Sequence, residues 1–240
     1  MPNNYFQFKQ FTVQQEKAAL KVSTDSCLFG AWVASKVESE KLKVKSALDI
    51  GAGSGLLMLM LAQKCNALID GIEIDEPSFE QAIENIEASS WKERLQLFHA
   101  DVKQFSFTKK YDLIISNPPF YEGNLKSDAA NRNVAMHDAG LKLDELITIV
   151  DTNLSEDGSF AVLLPFMRAG RMIELAKATN LHLKTHAQVK QSVKHSYFRS
   201  MLLFSRKNVE PVLEELAIKD ESNQYTNDFI ALLKDYYLYL

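Results

Sequence analysis

The chain has only two cysteines in 240 residues, Cys27 and Cys65, with no CxxC spacing and no histidine pair beside them. A disulfide framework or a zinc site is therefore not expected, and the sequence reads as binding no metal. Long apolar runs are missing as well. No stretch approaches the roughly 18 residues of a membrane span, and the opening MPNNYFQFKQ lacks the apolar core of a secretory signal. The chain reads as a cytoplasmic protein with no membrane segment. It also lacks repeats and Gly/Ser/Pro-rich linkers, so a single domain over residues 1–240 is expected, with a monomer as the default. Apolar content of 46% and charged content of 24% are ordinary, which argues against disorder or a fibrous chain.

What is present is a rhythm. Apolar runs rich in Val, Ile, Leu and Phe recur at Ala47–Ile50, Ala67–Ile74, Leu95–His99, Asp112–Ser116 and Phe160–Leu164, as buried parallel strands do. Between them, Leu56–Lys64, Phe79–Ala88, Asp144–Asn153 and Arg168–Thr179 carry apolar residues at helical spacing. Alternating strand and helix predict an α/β, Rossmann-like doubly wound sheet. His182–Val189 and Met201–Ser205 follow with only Lys190–Ser200 between them, which predicts a C-terminal antiparallel hairpin and seven strands in all. The first 45 residues stand outside the rhythm: Tyr5–Val13 alternates, and Leu28–Val37 reads as a helix capped near Thr24 to Ser26. This segment is expected to pack on the sheet as an N-terminal extension. Residues 208–240 are expected to form a helical tail, with Tyr225, Phe229, Leu232, Leu233, Tyr236 and Tyr237 as its packing face.

The formal net charge of −4 hides an uneven distribution. Residues 165–207 carry Arg168, Arg171, Lys177, Lys184, Lys190, Lys194, Arg199, Arg206 and Lys207 against the lone acid Glu174, while residues 208–240 are net acidic. A nucleic-acid partner is thus not excluded by the overall charge.

Asp49-Ile50-Gly51-Ala52-Gly53-Ser54-Gly55 ends one predicted strand and opens a predicted helix. A glycine turn there lets a ligand approach the backbone and the helix N-terminus. The spacing is GxGxG, not the GxGxxG of dinucleotide enzymes, and an acid precedes it, so a dehydrogenase is disfavoured. Glu73 ends the next strand, 24 residues after Asp49, where a carboxylate can grip ribose hydroxyls. Asp101, just past the third strand, is placed to accept from an adenine amino group. Asp75 and Glu76 read as helix caps instead.

The fourth strand breaks into Asn117-Pro118-Pro119-Phe120. Two prolines stop it and stiffen the turn that follows. Tyr121–Gly140 is polar and long enough for a lid; His137 and Arg132 read as plain loop residues.

The two motifs together resemble class I methyltransferases of the amino-group type, over about residues 46–207. Phe6-Gln7-Phe8-Lys9-Gln10-Phe11-Thr12-Val13-Gln14-Gln15, Lys21-Val22-Ser23-Thr24-Asp25-Ser26-Cys27-Leu28-Phe29-Gly30-Ala31-Trp32 and Ala135-Met136-His137-Asp138 narrow the resemblance to the bacterial tRNA1(Val) adenine-N6 methyltransferases. The pattern departs at Met136, where a basic residue is expected. The resemblance implies S-adenosylmethionine as cofactor and, as substrate, the adenine just 3′ of the anticodon (position 37). It also implies that Gln15, Lys21, Thr24 and Asp25 sit over the cofactor.

The chemistry of the residues fits that implication. The nitrogen lone pair of an aryl amine is delocalised and a poor nucleophile until geometry alters it. Asn117 Oδ1 and the Pro118 carbonyl can accept the two amine hydrogens and turn the lone pair toward a sulfonium methyl. Phe120 can stack on the flat substrate, with Pro119 holding the turn. Arg168, Lys190, Lys194 and Arg199, beside Tyr197 and Phe198, are candidate RNA contacts, and the target base must be unstacked to reach the site. Guanine-N2 methylation of RNA would use the same amine trap and stays open. A non-catalytic RNA-binding module holding S-adenosylmethionine is the alternative from another class; protein glutamine methylation ranks lower because Tyr is expected there at Phe120.

Overall fold

The computed structural model describes residues 3–39, 42–119 and 140–240. An antiparallel pair, β1 (Tyr5–Gln7) and β2 (Thr12–Gln14), opens the chain, followed by helix α1 (Thr24–Ser39). The alternating segment then runs β3 (Ser46–Ile50), α2 (Leu56–Lys64), β4 (Leu68–Glu73), α3 (Glu76–Glu87), β5 (Leu95–His99), β6 (Tyr111–Ser116), α4 (Leu143–Asn153), β7 (Leu154–Pro165) and α5 (Ala169–Ala178). β8 (His182–Ser192), β9 (Tyr197–Ser205), β10 (Val212–Lys219) and α6 (Asn227–Leu233) complete the chain.

The main sheet has eight strands in the order β10-β8-β9-β7-β6-β3-β4-β5. β9 runs antiparallel to both β7 and β8, so the expected hairpin is present. The eighth strand corrects the sequence reading: Val212–Lys219, assigned to a helical tail, pairs in parallel with β8. Its Val-Leu-Glu-Glu-Leu-Ala-Ile pattern suits an edge strand with one face on the core, and only the exposed edge of β8 selects that pairing. The helical part of the tail is shorter, Asn227–Leu233, and buries Phe229 and Leu233, with Tyr236 buried just past its end.

Two apolar layers cover the sheet. On one face α1 and α2 pack together. α2 is apolar all round and buried from Leu56 to Ala62, as a helix between a sheet and a second helix must be. Gly30 makes the contact between α1 and α2 possible, because a Cβ there would lie 2.6 Å from Met60 Sδ. On the other face Leu146, Ile147 and Val150 of α4 and Met172 and Ala176 of α5 cover Ile114, Phe160 and Val162. β3 lies between β4 and β6, so the chain leaves it toward one side and returns on the other. At such a reversal the loops after adjacent strands part and leave a crevice at the carboxyl ends.

Candidate active site

The crevice lies beyond β3 and β6, whose ends are in register, Ile50 beside Ser116. Ser116 Oγ donates to the Ile50 carbonyl at 2.8 Å, which ties the start of the glycine turn to the start of the Asn-Pro-Pro turn. Gly51, Gly53 and Gly55 all have positive φ, 77°, 55° and 80°, a conformation that only glycine adopts without strain. A Cβ at Gly51 or Gly53 would meet nothing within 4 Å. Backbone shape, not crowding, calls for glycine there, and the open space gives a ligand direct access to the turn.

Glu73, at the end of β4, faces this turn. Its Oε2 accepts from Gly53 N at 2.7 Å and its Oε1 from Asp75 N at 2.8 Å. Each oxygen keeps a further lone pair for ribose hydroxyls, while the two backbone donors fix the carboxylate. Asp75 caps α3 by accepting from Ser78 N at 3.0 Å, as the sequence reading held. Asp101 Oδ1 accepts from Lys103 N at 2.9 Å, which orients the carboxyl on a turn just past β5. Asp49 is fully buried, and neither of its carboxylate oxygens has a partner among the described residues. Burial, with the negative Glu73 nearby as a lesser cause, pushes its pKa up to about 8.

Asn117 follows β6. Its Oδ1 is buried and has no hydrogen-bond partner among the described residues. Pro118 is buried and Pro119 exposed. Phe120 lies outside the described residues, as do Arg132, Met136 and His137 and most of the expected lid. An unpaired carbonyl oxygen in a polar crevice is costly and marks where a hydrogen donor of a ligand belongs.

The N-terminal segment reaches the same end of the sheet. Three residues on one face of α3 hold it. Asn85 Oδ1 accepts from Gln14 N at 2.8 Å, and its Nδ2 donates to the Gln14 carbonyl at 2.8 Å and to the Ser54 carbonyl at 2.9 Å. Gln81 Oε1 accepts from Lys17 N at 3.1 Å, and Ser78 Oγ from Ala19 N at 3.0 Å. The sequence reading missed this row; the signal was polar residues at helical spacing on a face that is otherwise buried. Gln15 accepts from Val22 N, and Lys21 donates to the Gln15 and Glu16 carbonyls. Lys21 thus closes the loop preceding α1. Thr24 opens α1 and is exposed. Asp25 Oδ2 accepts from Arg199 Nε at 2.7 Å. Burial alone would raise the Asp25 pKa, but hydrogen bonds from Ser23 and Arg199 outweigh it and hold the carboxyl below its usual range.

The basic stretch is partly neutralised by β10. Lys190 lies 3.6 Å from Glu215 of that strand and over the Tyr197 ring at 4.5 Å; past the strand, Lys194 Nζ keeps its charge and donates to the backbone carbonyl of Glu221 at 3.0 Å. Arg199 serves the Asp25 pair, and Arg168 ends a 3-10 turn, Phe166–Arg168, just past β7. Among the described residues no group of His, Cys, Asp and Glu could hold a metal, and no helix is long and apolar enough to cross a membrane.

A positive-φ glycine turn after β3, an anchored carboxylate ending β4 and a buried amide oxygen just past β6 suit the cofactor crevice of a class I methyltransferase. The family model described as methyltransferase small domain matches residues 31–161. The chain is 42% identical to the tRNA1(Val) (adenine(37)-N6)-methyltransferase of Flavobacterium johnsoniae, over 97% of this chain and 99% of that one. It is 40% identical to the enzyme of the same name from Flavobacterium psychrophilum, over 97% and 99%. Among solved structures, a predicted O-methyltransferase from Agrobacterium tumefaciens shares the fold with a TM-score of 0.64, at 14% identity over 86% of this chain and 95% of that one. The chain belongs to the tRNA1(Val) (adenine(37)-N6)-methyltransferase family. S-adenosylmethionine is the cofactor that membership implies, and the open glycine turn, the fixed Glu73 carboxylate and the partnerless Asp49 and Asn117 oxygens fit it.

Proposed function

We propose that the protein transfers a methyl group from S-adenosylmethionine to the exocyclic N6 amine of the adenine 3′ of the anticodon, position 37, in tRNA1(Val), as a cytoplasmic monomer. The observation that carries this reading is the buried, partnerless Asn117 Oδ1 beside the glycine turn.

When bound, the cofactor supplies an activated methyl on a cationic sulfonium. Asn117 Oδ1 accepts one amine hydrogen and the Pro118 carbonyl the other, which holds the nitrogen with its lone pair toward the methyl. The bound cofactor would supply the methyl to the amine nitrogen and leave as the neutral thioether, and the amine proton given up in exchange would pass to water. Both oxygens carry partial negative charge, so they stabilise the positive charge that grows on the nitrogen during transfer. Glu73 and Asp101 bind and orient the nucleoside half of the cofactor. Phe120 would stack on the adenine. Lys190, Lys194, Arg168 and Arg199 contribute a cationic side for phosphates.

The test is transfer of labelled methyl to bulk RNA from a strain lacking the protein, followed by nucleoside digestion and mass spectrometry. Label in N6-methyladenosine of the tRNA fraction is the expected result. Label in N2-methylguanosine would retain the amine trap and change the base, and the absence of label from RNA would overturn the reading.

A further inference from the structure

Met167 is the most exposed large apolar side chain among the described residues, with 90% of its surface open. It sits at the centre of the 3-10 turn Phe166–Arg168 that follows β7. β7 is the neighbour of β6, with Val162 beside Ser116; continuing that register puts Leu163 beside Asn117. Phe166 then lies about 10 Å farther along and about 5 Å across from the amide acceptor, at the same carboxyl end of the two parallel strands. Met167 is the next residue.

The support beneath it is stiff. Phe166 stacks on Tyr197 at 5.1 Å between centroids and lies 6.5 Å from the His186 ring. On the other side Ala169 is buried and opens α5, which is anchored in the core by Met172 and Ala176. Arg168 adjoins on one flank, and on the other Lys190, 3.6 Å from Glu215, holds its Nζ 4.5 Å from the Tyr197 ring centroid. A lone apolar tip on a rigid aromatic base, ringed by the charged and polar groups Arg168, Lys190 and Glu215, matches an opened base step of a nucleic acid more closely than it matches an extended apolar protein partner.

The inference rests on the proposed methylation of an adenine in folded RNA. Such an adenine must leave its stack, and the unstacking is the costly part of entry. Proteins that open base steps fill the gap with an apolar side chain, methionine among them. We propose that Met167 is the wedge that enters the base step vacated when the target adenine swings toward Asn117, with the Phe166–Tyr197 stack as its backing. It is a positioning residue, since it touches the neighbours of the reacting base.

The experiment uses the full chain with S-adenosylhomocysteine and an anticodon stem-loop carrying 2-aminopurine at the target position. Wild type should raise the fluorescence of the probe severalfold as the base unstacks. Met167→Ala should lose most of that rise and lower kcat on the adenine stem-loop about tenfold or more, with KM within about threefold. Met167→Leu, which keeps an apolar tip of similar volume, should restore both. On an unstructured trinucleotide, which has no stack to open, Met167→Ala should match wild type. The wedge is refuted if Met167→Ala keeps the full fluorescence rise and kcat within about twofold, or if it is equally slow on the trinucleotide, as a general structural defect would be. Failure of wild type to methylate the stem-loop would instead overturn the proposed function, and this inference with it.

Discussion

Replacing Asp49 by Asn should stabilise the protein without cofactor while weakening its hold on the cofactor, and the gain should grow with pH. Asp49 is fully buried, neither oxygen has a partner among the described residues, and its pKa is pushed from 3.8 up to about 8 by burial, with the nearby Glu73 carboxylate as a lesser cause. An acid whose folded pKa lies above its unfolded value keeps its proton longer in the fold. The unfolded chain therefore gains relative stability as pH rises, so folding stability is full below about pH 4 and drains away toward pH 8. At about 1.4 kcal/mol per pH unit the span sets a ceiling of ~6 kcal/mol. Relaxation and water entry should reduce this to about 3 kcal/mol. Asparagine has the same shape and no charge to bury. For a chain of this length 1 kcal/mol corresponds to about 2–4 °C in Tm, so Asp49→Asn should gain about 6–12 °C at pH 8 but only about 2–4 °C at pH 5. Calorimetry of the cofactor-free protein across this range, with isothermal titration of S-adenosylmethionine in parallel, measures both effects. An equal Tm change at pH 5 and pH 8, or a loss at pH 8, would refute the argument that a buried carboxylate opposes the fold.

Asn117→Ala should lower kcat about 100-fold or more, in line with loss of a group that stabilises developing charge, while cofactor affinity changes less than about threefold; single-turnover methyl transfer and cofactor titration separate the two. Asn85→Leu removes three hydrogen bonds that join β2, α3 and the glycine turn and should cost about 2–4 kcal/mol, read as a lower denaturant midpoint and as increased proteolysis of the N-terminal segment. Glu215→Gln should release Lys190 from its acidic neighbour and tighten RNA binding modestly, about two- to threefold at low salt, with a steeper salt dependence; fluorescence anisotropy at two salt concentrations detects it.

The local pattern of apolar runs, glycine spacing and strand-end acids was enough to determine the doubly wound arrangement of the alternating segment and the glycine turn that Glu73 faces. Those signals arise within a few residues of the backbone they specify: a strand buried on both faces is apolar throughout, and a turn with positive φ requires glycine at Gly51, Gly53 and Gly55. The Asn-Pro-Pro turn was legible for the same reason, because proline acts on its own φ and on its predecessor. Partners distant in the chain were not. Val212–Lys219 becomes a strand because β8 offers it a free edge, and Asn85 holds Gln14 and Ser54 from a helix whose own pattern says only that one face is buried. Arg199 stands in the sequence only as one cation of a basic stretch, and the fold alone shows that it reaches Asp25 across 174 residues. The sequence shows the acidic tail only as net charge; tertiary structure sets Glu215 beside Lys190. Hydrogen bonds and ion pairs act over a few ångströms in space, and which groups come that close is decided by sheet order and helix packing, not by the spacing of residues along the chain.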